Sequence, residues 1–98
     1  MVFIYDTIYG IIIMSKIKKI IEKISKRPYS NNVSYSELKK YLLHYGFKEI
    51  RISGSHHMFI STYGKRLIVP SHDNKVLVVY VKNAYDLVKE MEDLNEEN

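Results

Sequence analysis

The stretch KEIRISGSHHMFISTYGKRLIVP, residues 48–70, has the pattern of a small antiparallel sheet. Three segments within it have the length and the apolar and β-branched content of strands: Lys48–Ile52, His56–Thr62 and Lys65–Val69. Residues 53–55, Ser-Gly-Ser, make the first turn, and Tyr63 and Gly64 make a second, tight turn. Pro70 ends the third strand because proline has no N–H to donate to a neighbouring strand.

A helix precedes this sheet, and a capping box marks its start. In residues 34–37, SYSE, the Ser34 hydroxyl can accept a hydrogen bond from the Glu37 amide while the Glu37 carboxylate accepts one from the Ser34 amide. Apolar and aromatic residues then recur on one helical face: Leu38, Tyr41, Leu42 and Tyr45. Gly46 suits a left-handed helix end. We therefore predict a helix over Tyr35–Tyr45.

Helical spacing also occurs at both ends of the chain. Lys16–Lys26 places isoleucines on one face and lysines elsewhere, so it predicts an amphipathic helix whose basic face is solvated or contacts phosphate. Val76–Val81 has the propensity of a strand, but the apolar residues that follow have helical spacing: Tyr80, Ala84, Leu87, Val88 and Met91. We expect a loop to about Val78 and then a helix to about Asp93.

These elements define an α+β fold. Apart from the first helix, the order is α-β-β-β-α, which predicts an antiparallel three-stranded sheet with helices packed on one face. The apolar faces predict a single core that includes Leu38, Leu42, Phe47, Leu67, Val69, Ala84 and Leu87. A chain of 98 residues has room for one such domain.

Composition limits the classes of function. The chain has no cysteine, so it offers neither a disulfide framework nor a thiolate metal site, and we expect a reducing, cytoplasmic location. Residues 1–85 hold fourteen bases and five acids, a net charge of +9, whereas six acids and one lysine follow from Asp86 onward. A basic body of this kind can attract a polyanion through counterion release.

The first thirteen residues, MVFIYDTIYGIII, are unusually apolar. They are too few to cross a bilayer, which takes about 20 residues, and Asp6 with no preceding basic residue does not fit a signal peptide. We expect no membrane partner, although an extra strand or a membrane-surface anchor is an alternative. We interpret residues 1–13 as the product of a misassigned start or as an ill-ordered extension, and residues 14–98 as one domain with its core in 33–92.

The four histidines are the candidate reactive groups. His56 and His57 are adjacent on a predicted strand, so their side chains point to opposite faces and do not readily share one ion. We expect no metal and no cofactor. His44 is expected to be structural and His57 to pack, while His72 is either a loop residue bonded to the backbone or a catalytic acid.

The sequence around His56 is more specific. Residues 54–59, GSHHMF, followed by RLIVPSH at 66–72 and by Asn74 and Lys75, resemble the HicA family of toxin proteins. Members of that family combine a helix ending in Gly-Phe or Gly-Trp, a Gly-Ser-His-His strand, an apolar strand ending in Pro-x-His, and a closing helix. The resemblance covers about Val33–Lys89.

The resemblance implies a fold like that of a double-stranded-RNA-binding domain. It further implies a toxin endoribonuclease that cleaves mRNA, is neutralised by a HicB-like antitoxin, and has its catalytic histidine at His56. RNA supplies its own nucleophile, the 2′-hydroxyl, and a neutral imidazole can accept its proton without a metal. We expect Lys65 and Arg66 to be the cations nearest to His56. The residues expected to bind RNA are Gly54, Ser55, Lys65, Arg66, His72 and Lys75.

Two other functions are compatible with the sequence. One is a non-catalytic RNA-binding module with the same fold, and the other is a protein-interaction domain with no role in RNA binding. A neighbouring reading frame for a HicB-like antitoxin favours the toxin, whereas an orphan gene favours either alternative.

We predict that Met1–Ile13 is dispensable for folding. A chain that starts at Met14 should melt at nearly the same temperature as the full chain, because an extension buries no core surface. A destabilisation of several kcal/mol would contradict this, since burying each large aliphatic side chain contributes about 1.5–3 kcal/mol.

Overall fold

The computed structural model describes residues 15–97. Its elements are α1 (15–25), α2 (Tyr35–His44), β1 (Lys48–Ser53), β2 (His56–Ile60), β3 (Arg66–Pro70) and α3 (Val78–Glu97). The predicted α-β-β-β-α order with an additional helix before it is confirmed. The expectations for Met1–Ile13 lie outside the described residues.

The sheet has the order β1-β2-β3, and both pairs of strands are antiparallel. In the central strand, His56 lies opposite Ser53 of β1 and Pro70 of β3, while Ile60 lies opposite Arg66. The register therefore separates the two ends of the sheet. His56 and the first turn are at one end, and Arg66 and the second turn are at the other.

β2 is shorter than we predicted, because it ends at Ile60 rather than at Thr62. The reason is the hydroxyl of Ser61. It accepts hydrogen bonds from the backbone amides of Tyr63 (3.2 Å) and Lys65 (3.0 Å), and so it begins the turn two residues earlier than the apolar pattern indicates.

One core joins the helices to the sheet. α2 contacts β1, α3 contacts β3, and the buried apolar residues form a single cluster: Ile20, Ile24, Val33, Leu38, Tyr41, Leu42, Phe47, Phe59, Leu67, Val69, Val76, Val81, Ala84, Val88 and Met91. Six of the seven predicted core residues belong to it. Leu87 is only partly buried, at the edge of this cluster, because Ala84 and Val88 occupy the buried face of α3.

The capping box of α2 forms as predicted. Ser34 Oγ accepts a hydrogen bond from the Glu37 amide at 3.0 Å, and Glu37 Oε1 accepts one from the Ser34 amide at 3.0 Å. Lys23 of α1 donates to the same carboxylate at 2.9 Å. The ion pair between Lys23 and Glu37 therefore also holds α1 against the start of α2.

A tight turn at residues 72–75 connects β3 to α3. His72 and Lys75 exchange backbone hydrogen bonds at 3.0 and 2.9 Å, and the two residues between them, Asp73 and Asn74, have positive φ angles. The Asn74 carbonyl also accepts a hydrogen bond from the Tyr35 amide at 3.0 Å. This turn is thus fixed against the N-terminus of α2.

We predict that Ser34→Ala lowers the free energy of unfolding by about 1 kcal/mol, the usual value of an N-cap side chain. Ser36→Ala is the matched control, because the Ser36 side chain is exposed in the same helical turn and caps nothing. Urea denaturation followed by circular dichroism measures both. Equal losses for the two variants would contradict the assigned role of the cap.

Candidate active site at the start of β2

The candidate site lies where β2 begins, where the strand register brings the turn before β2 next to the residues that follow β3. The Ser71 amide, just after β3, donates a hydrogen bond to the Ser55 carbonyl at 2.8 Å. Gly54 has a φ of +60°, with no atom within 4 Å of the place a Cβ would take. The turn therefore requires glycine for its backbone conformation, rather than for lack of space.

His57 points to the helical side of the sheet and is held by three neighbours. Its ring stacks on Tyr35 at a centroid distance of 3.9 Å. Nε2 lies 3.1 Å from Ser71 Oγ, and Nδ1 lies 3.3 Å from Glu49 Oε2. The Nδ1 contact is electrostatic, because this buried atom has no hydrogen-bond partner among the described residues. His57 is therefore part of a polar network and is not simply packed.

Glu49 is the charged centre of that network. It accepts a short hydrogen bond from the Tyr35 hydroxyl and lies 3.5 Å from Lys39 Nζ. Burial alone would raise the pKa of Glu49, but the hydrogen bond from Tyr35, the charge of Lys39 and the contact with His57 outweigh it and lower the pKa. Burial and the bond to Glu49 together raise the pKa of the Tyr35 hydroxyl. Glu49 is thus a carboxylate and Tyr35 a protonated donor at neutral pH.

His56 points to the opposite face and has different surroundings. It is exposed and lines a shallow groove of about 220 Å³, which Ser53, His57, Met58 and Ile68 also border. Among the side chains described there, none is a carboxylate or a lysine or arginine. The structure therefore gives His56 access to solvent, and none of the described side chains that line this groove is a charged partner for it.

A second and larger groove, of about 550 Å³, lies beside the 72–75 turn. Its polar lining includes four residues that flank the start of β2: Ser55, Ser71, His72 and Lys75. The side chains of His72 and Lys75 are exposed, and no carboxylate within residues 15–97 pairs with Lys75. This groove brings together hydroxyl, imidazole and ammonium groups that can contact a phosphate.

Two other expected RNA contacts lie elsewhere. Arg66 is paired with Ile60, four residues along β2 from His56, a separation of about 13 Å at the usual rise per residue. Lys65 Nζ pairs with Glu90 of α3 at 3.1 Å. The expectation that these two cations are nearest to His56 is therefore wrong, because they follow the opposite turn of the hairpin.

Neither a metal centre nor a membrane span is found in the part of the chain that the structure describes. Within residues 15–97, no group of three histidine or acidic side chains is arranged to hold a metal ion. No helix there is long and apolar enough to cross a membrane.

His44 lies in the last turn of α2 with its ring edge-on to Tyr45 at 5.1 Å.

The fold and the site define a class of small α+β protein with a polar groove beside a central strand. The family model described as the HicA toxin of bacterial toxin–antitoxin systems matches residues 35–84, slightly more than half of the chain. That range contains α2, the whole sheet and the first turns of α3. The chain belongs to the HicA toxin family. No curated protein and no solved structure matches it.

We predict that Glu49→Gln destabilises the protein by about 1.5–3 kcal/mol at pH 7, the usual value of hydrogen bonds to a charged group. Because folding lowers the pKa of Glu49, its contribution is complete above the ordinary value of 4.5 and is lost as pH falls through the lowered pKa. Denaturation at pH 7 and at pH 3 measures the difference, which should shrink at pH 3.

The matched control is Glu90→Gln. Glu90 also pairs with a lysine, but both side chains are about half exposed, so the loss should be below about 1 kcal/mol. A Glu49→Gln protein that is as stable as this control at pH 7 would contradict the structural role of the Glu49 network.

Proposed function

We propose that this protein is an endoribonuclease toxin that cleaves mRNA and is neutralised by a HicB-like antitoxin. Membership of the HicA toxin family supports a role in a toxin–antitoxin system. The observation that supports the cleavage step is that Ser71, His72 and Lys75 line one groove, while Ser71 Oγ also lies 3.1 Å from His57 Nε2. These side chains can bind a phosphate and transfer protons without help from a cofactor.

The proposed reaction is an internal transesterification of RNA. A histidine base removes the proton of a 2′-hydroxyl, and the oxygen attacks the adjacent phosphorus. The bond from phosphorus to the 5′-oxygen then breaks, and this oxygen takes up a proton from an acid. The products are a 2′,3′-cyclic phosphate and a free 5′-hydroxyl, so atoms and charges balance without an added oxidant or metal.

Two adjacent histidines compete for the role of base. The family resemblance assigns it to His56, whose exposed ring can reach a bound RNA. The geometry favours His57, because the Glu49 carboxylate lies beside its Nδ1 while Nε2 contacts Ser71 at the edge of the larger groove. A base whose ring is oriented by a carboxylate is a recurring arrangement for proton transfer. We therefore propose His57 as the stronger candidate and His56 as its rival.

The remaining groups have complementary roles in this proposal. Lys75 stabilises the charge that develops on the phosphate, and the hydroxyls of Ser55 and Ser71 orient it. His72, exposed beside them, is the proposed acid for the leaving 5′-oxygen. Lys65 and Arg66 remain candidates for binding RNA away from the cleaved bond, with Lys65 weakened by its pairing to Glu90.

The test compares His57→Ala with His56→Ala on the same RNA. Removal of the base should lower the cleavage rate by roughly 10²–10⁴-fold, while the other variant should keep most of its activity. Wild-type cleavage should persist in EDTA and yield 2′,3′-cyclic phosphate ends. Circular dichroism must show that both variants are folded, and Ser71→Ala gives a second probe of the His57 side.

Each result distinguishes a different hypothesis. If only His56→Ala is inactive, the base is His56 and the Glu49 network is structural. If wild-type protein binds RNA but releases no cyclic phosphate product, the protein is a non-catalytic RNA-binding module. If it neither binds nor cuts RNA, an interaction domain without an RNA role replaces both.

A further inference from the structure

The larger groove beside the 72–75 turn has two chemically different sides. One side carries the polar residues already described. The other is apolar and aromatic, and it is formed by Val76, Leu77 and Tyr80 at the start of α3. The core of the fold explains Val76, which is buried, and the inner part of Tyr80, but neither the core nor the proposed cleavage step accounts for Leu77 or for the exposed part of Tyr80.

Leu77 and Tyr80 stand together because the helix begins here. The Tyr80 amide donates to the Leu77 carbonyl at 3.0 Å, which closes the first turn and places the two residues three positions apart on neighbouring sites of the helix surface. Leu77 is 71% exposed, an unusual exposure for a large apolar side chain. Tyr80 is half-buried, and its hydroxyl has no hydrogen-bond partner within residues 15–97.

This arrangement matches the chemistry of a nucleotide. A base presents a flat, partly apolar face that stacks on aromatic side chains, while its phosphate needs cations and hydroxyl donors. Tyr80 and Leu77 supply the first kind of surface, and Lys75 with Ser55 supplies the second. The groove volume of about 550 Å³ lies within the usual range for small-ligand sites.

The geometry points to a subsite for one nucleotide of single-stranded RNA, with its base against Tyr80 and Leu77 and its phosphate against Lys75. This inference rests on the proposed function, and it adds the class of substrate. In a duplex the faces of the bases are covered by their stacked neighbours, so only an unpaired base can present its face to Tyr80. The protein therefore acts on single-stranded regions of RNA.

Two residues of the groove affect which nucleobase it would bind. Asp73 and Asn31 complete its polar rim, and both are exposed. A carboxylate accepts hydrogen bonds but repels phosphate, so Asp73 favours a base edge that carries an amino group. The position of the phosphate is thereby limited to the part of the rim next to Lys75 and Ser55.

The experiment measures binding without cleavage. The probe is a fluorescent single-stranded RNA decamer with 2′-O-methyl groups, which removes the nucleophile, and fluorescence anisotropy gives its Kd. Tyr80→Ala should weaken binding by about 5- to 150-fold, the range of one base stacked on an aromatic ring. Tyr80→Phe should bind like the wild type, because it keeps the ring. Binding to the matching RNA duplex should be unchanged in both variants.

Two further variants control for folding and for general loss of an aromatic residue. Leu77→Ser changes a side chain that is already 71% exposed, so it should leave the fold intact and still weaken binding of the single strand several-fold. Tyr63→Ala removes a tyrosine at the opposite turn of the hairpin and should change Kd by less than about twofold, the expectation for a residue outside the subsite.

The outcomes separate this inference from the proposed function. If the protein cleaves RNA but neither Tyr80→Ala nor Leu77→Ser changes binding of the single strand, the subsite is refuted and the nuclease stands. If these variants lose binding but no RNA is ever cut, the subsite stands in a non-catalytic protein. Equal losses for single strand and duplex would also overturn it, because they would indicate contact with the backbone alone.

Discussion

The register of β2 between its two neighbours is the constraint on which the site depends. Successive side chains of a strand point to opposite faces, so a shift of one residue would exchange the positions of His56 and His57. Phe59 fixes which face each residue of β2 points to, because it is fully buried against the helices on the same face as His57. A single core residue therefore decides which histidine contacts the interior network and which contacts solvent.

This alternation of side chains along β2 determines which chemical groups lie on each face of the sheet. On the interior face, a carboxylate would ordinarily be costly to bury, but Tyr35, Lys39 and His57 together compensate Glu49 and keep it ionised. These partners come from α2 and from β2, while Glu49 itself lies on β1. The orientation of His57 thus depends on the docking of α2, which in turn is fixed by the bond from the Tyr35 amide to Asn74. The helix, the sheet and the 72–75 turn hold one another in place.

Local patterns in the sequence were sufficient for most of the fold. The Ser34–Glu37 capping box, the hairpins and the start of α3 near Val78 were all predicted, since each depends on residues close together in the chain. The end of β2 was missed because it depends on one hydroxyl, that of Ser61, binding two amides in the following turn. Leu87 was misplaced because helical spacing identifies a face but not the edge of that face.

The candidate site was harder to predict because its contacts are not local. The motif at residues 54–57 led to the prediction of a site at the end of the sheet where β2 begins. However, the partners of His57 lie on other elements, and no sequence pattern pairs Glu49 or Ser71 with it. The error over Lys65 and Arg66 has a different origin. Counting residues along the predicted hairpin would have placed them at its far end, so strand register was the available signal.

Charge pairing within the fold changes what the net charge means for RNA binding. Some acidic residues of α3 pair with lysines: Glu90 pairs with Lys65 before β3, and Asp86 pairs with Lys82 within α3 itself. A lysine that already has a counterion in the protein releases fewer ions when it meets a phosphate, so it contributes less to binding. Lys75 has no such partner within residues 15–97. For the proposed RNA binding, Lys65 at the distal turn therefore counts for less than its formal charge suggests, whereas Lys75 shares its groove with the Asp73 carboxylate.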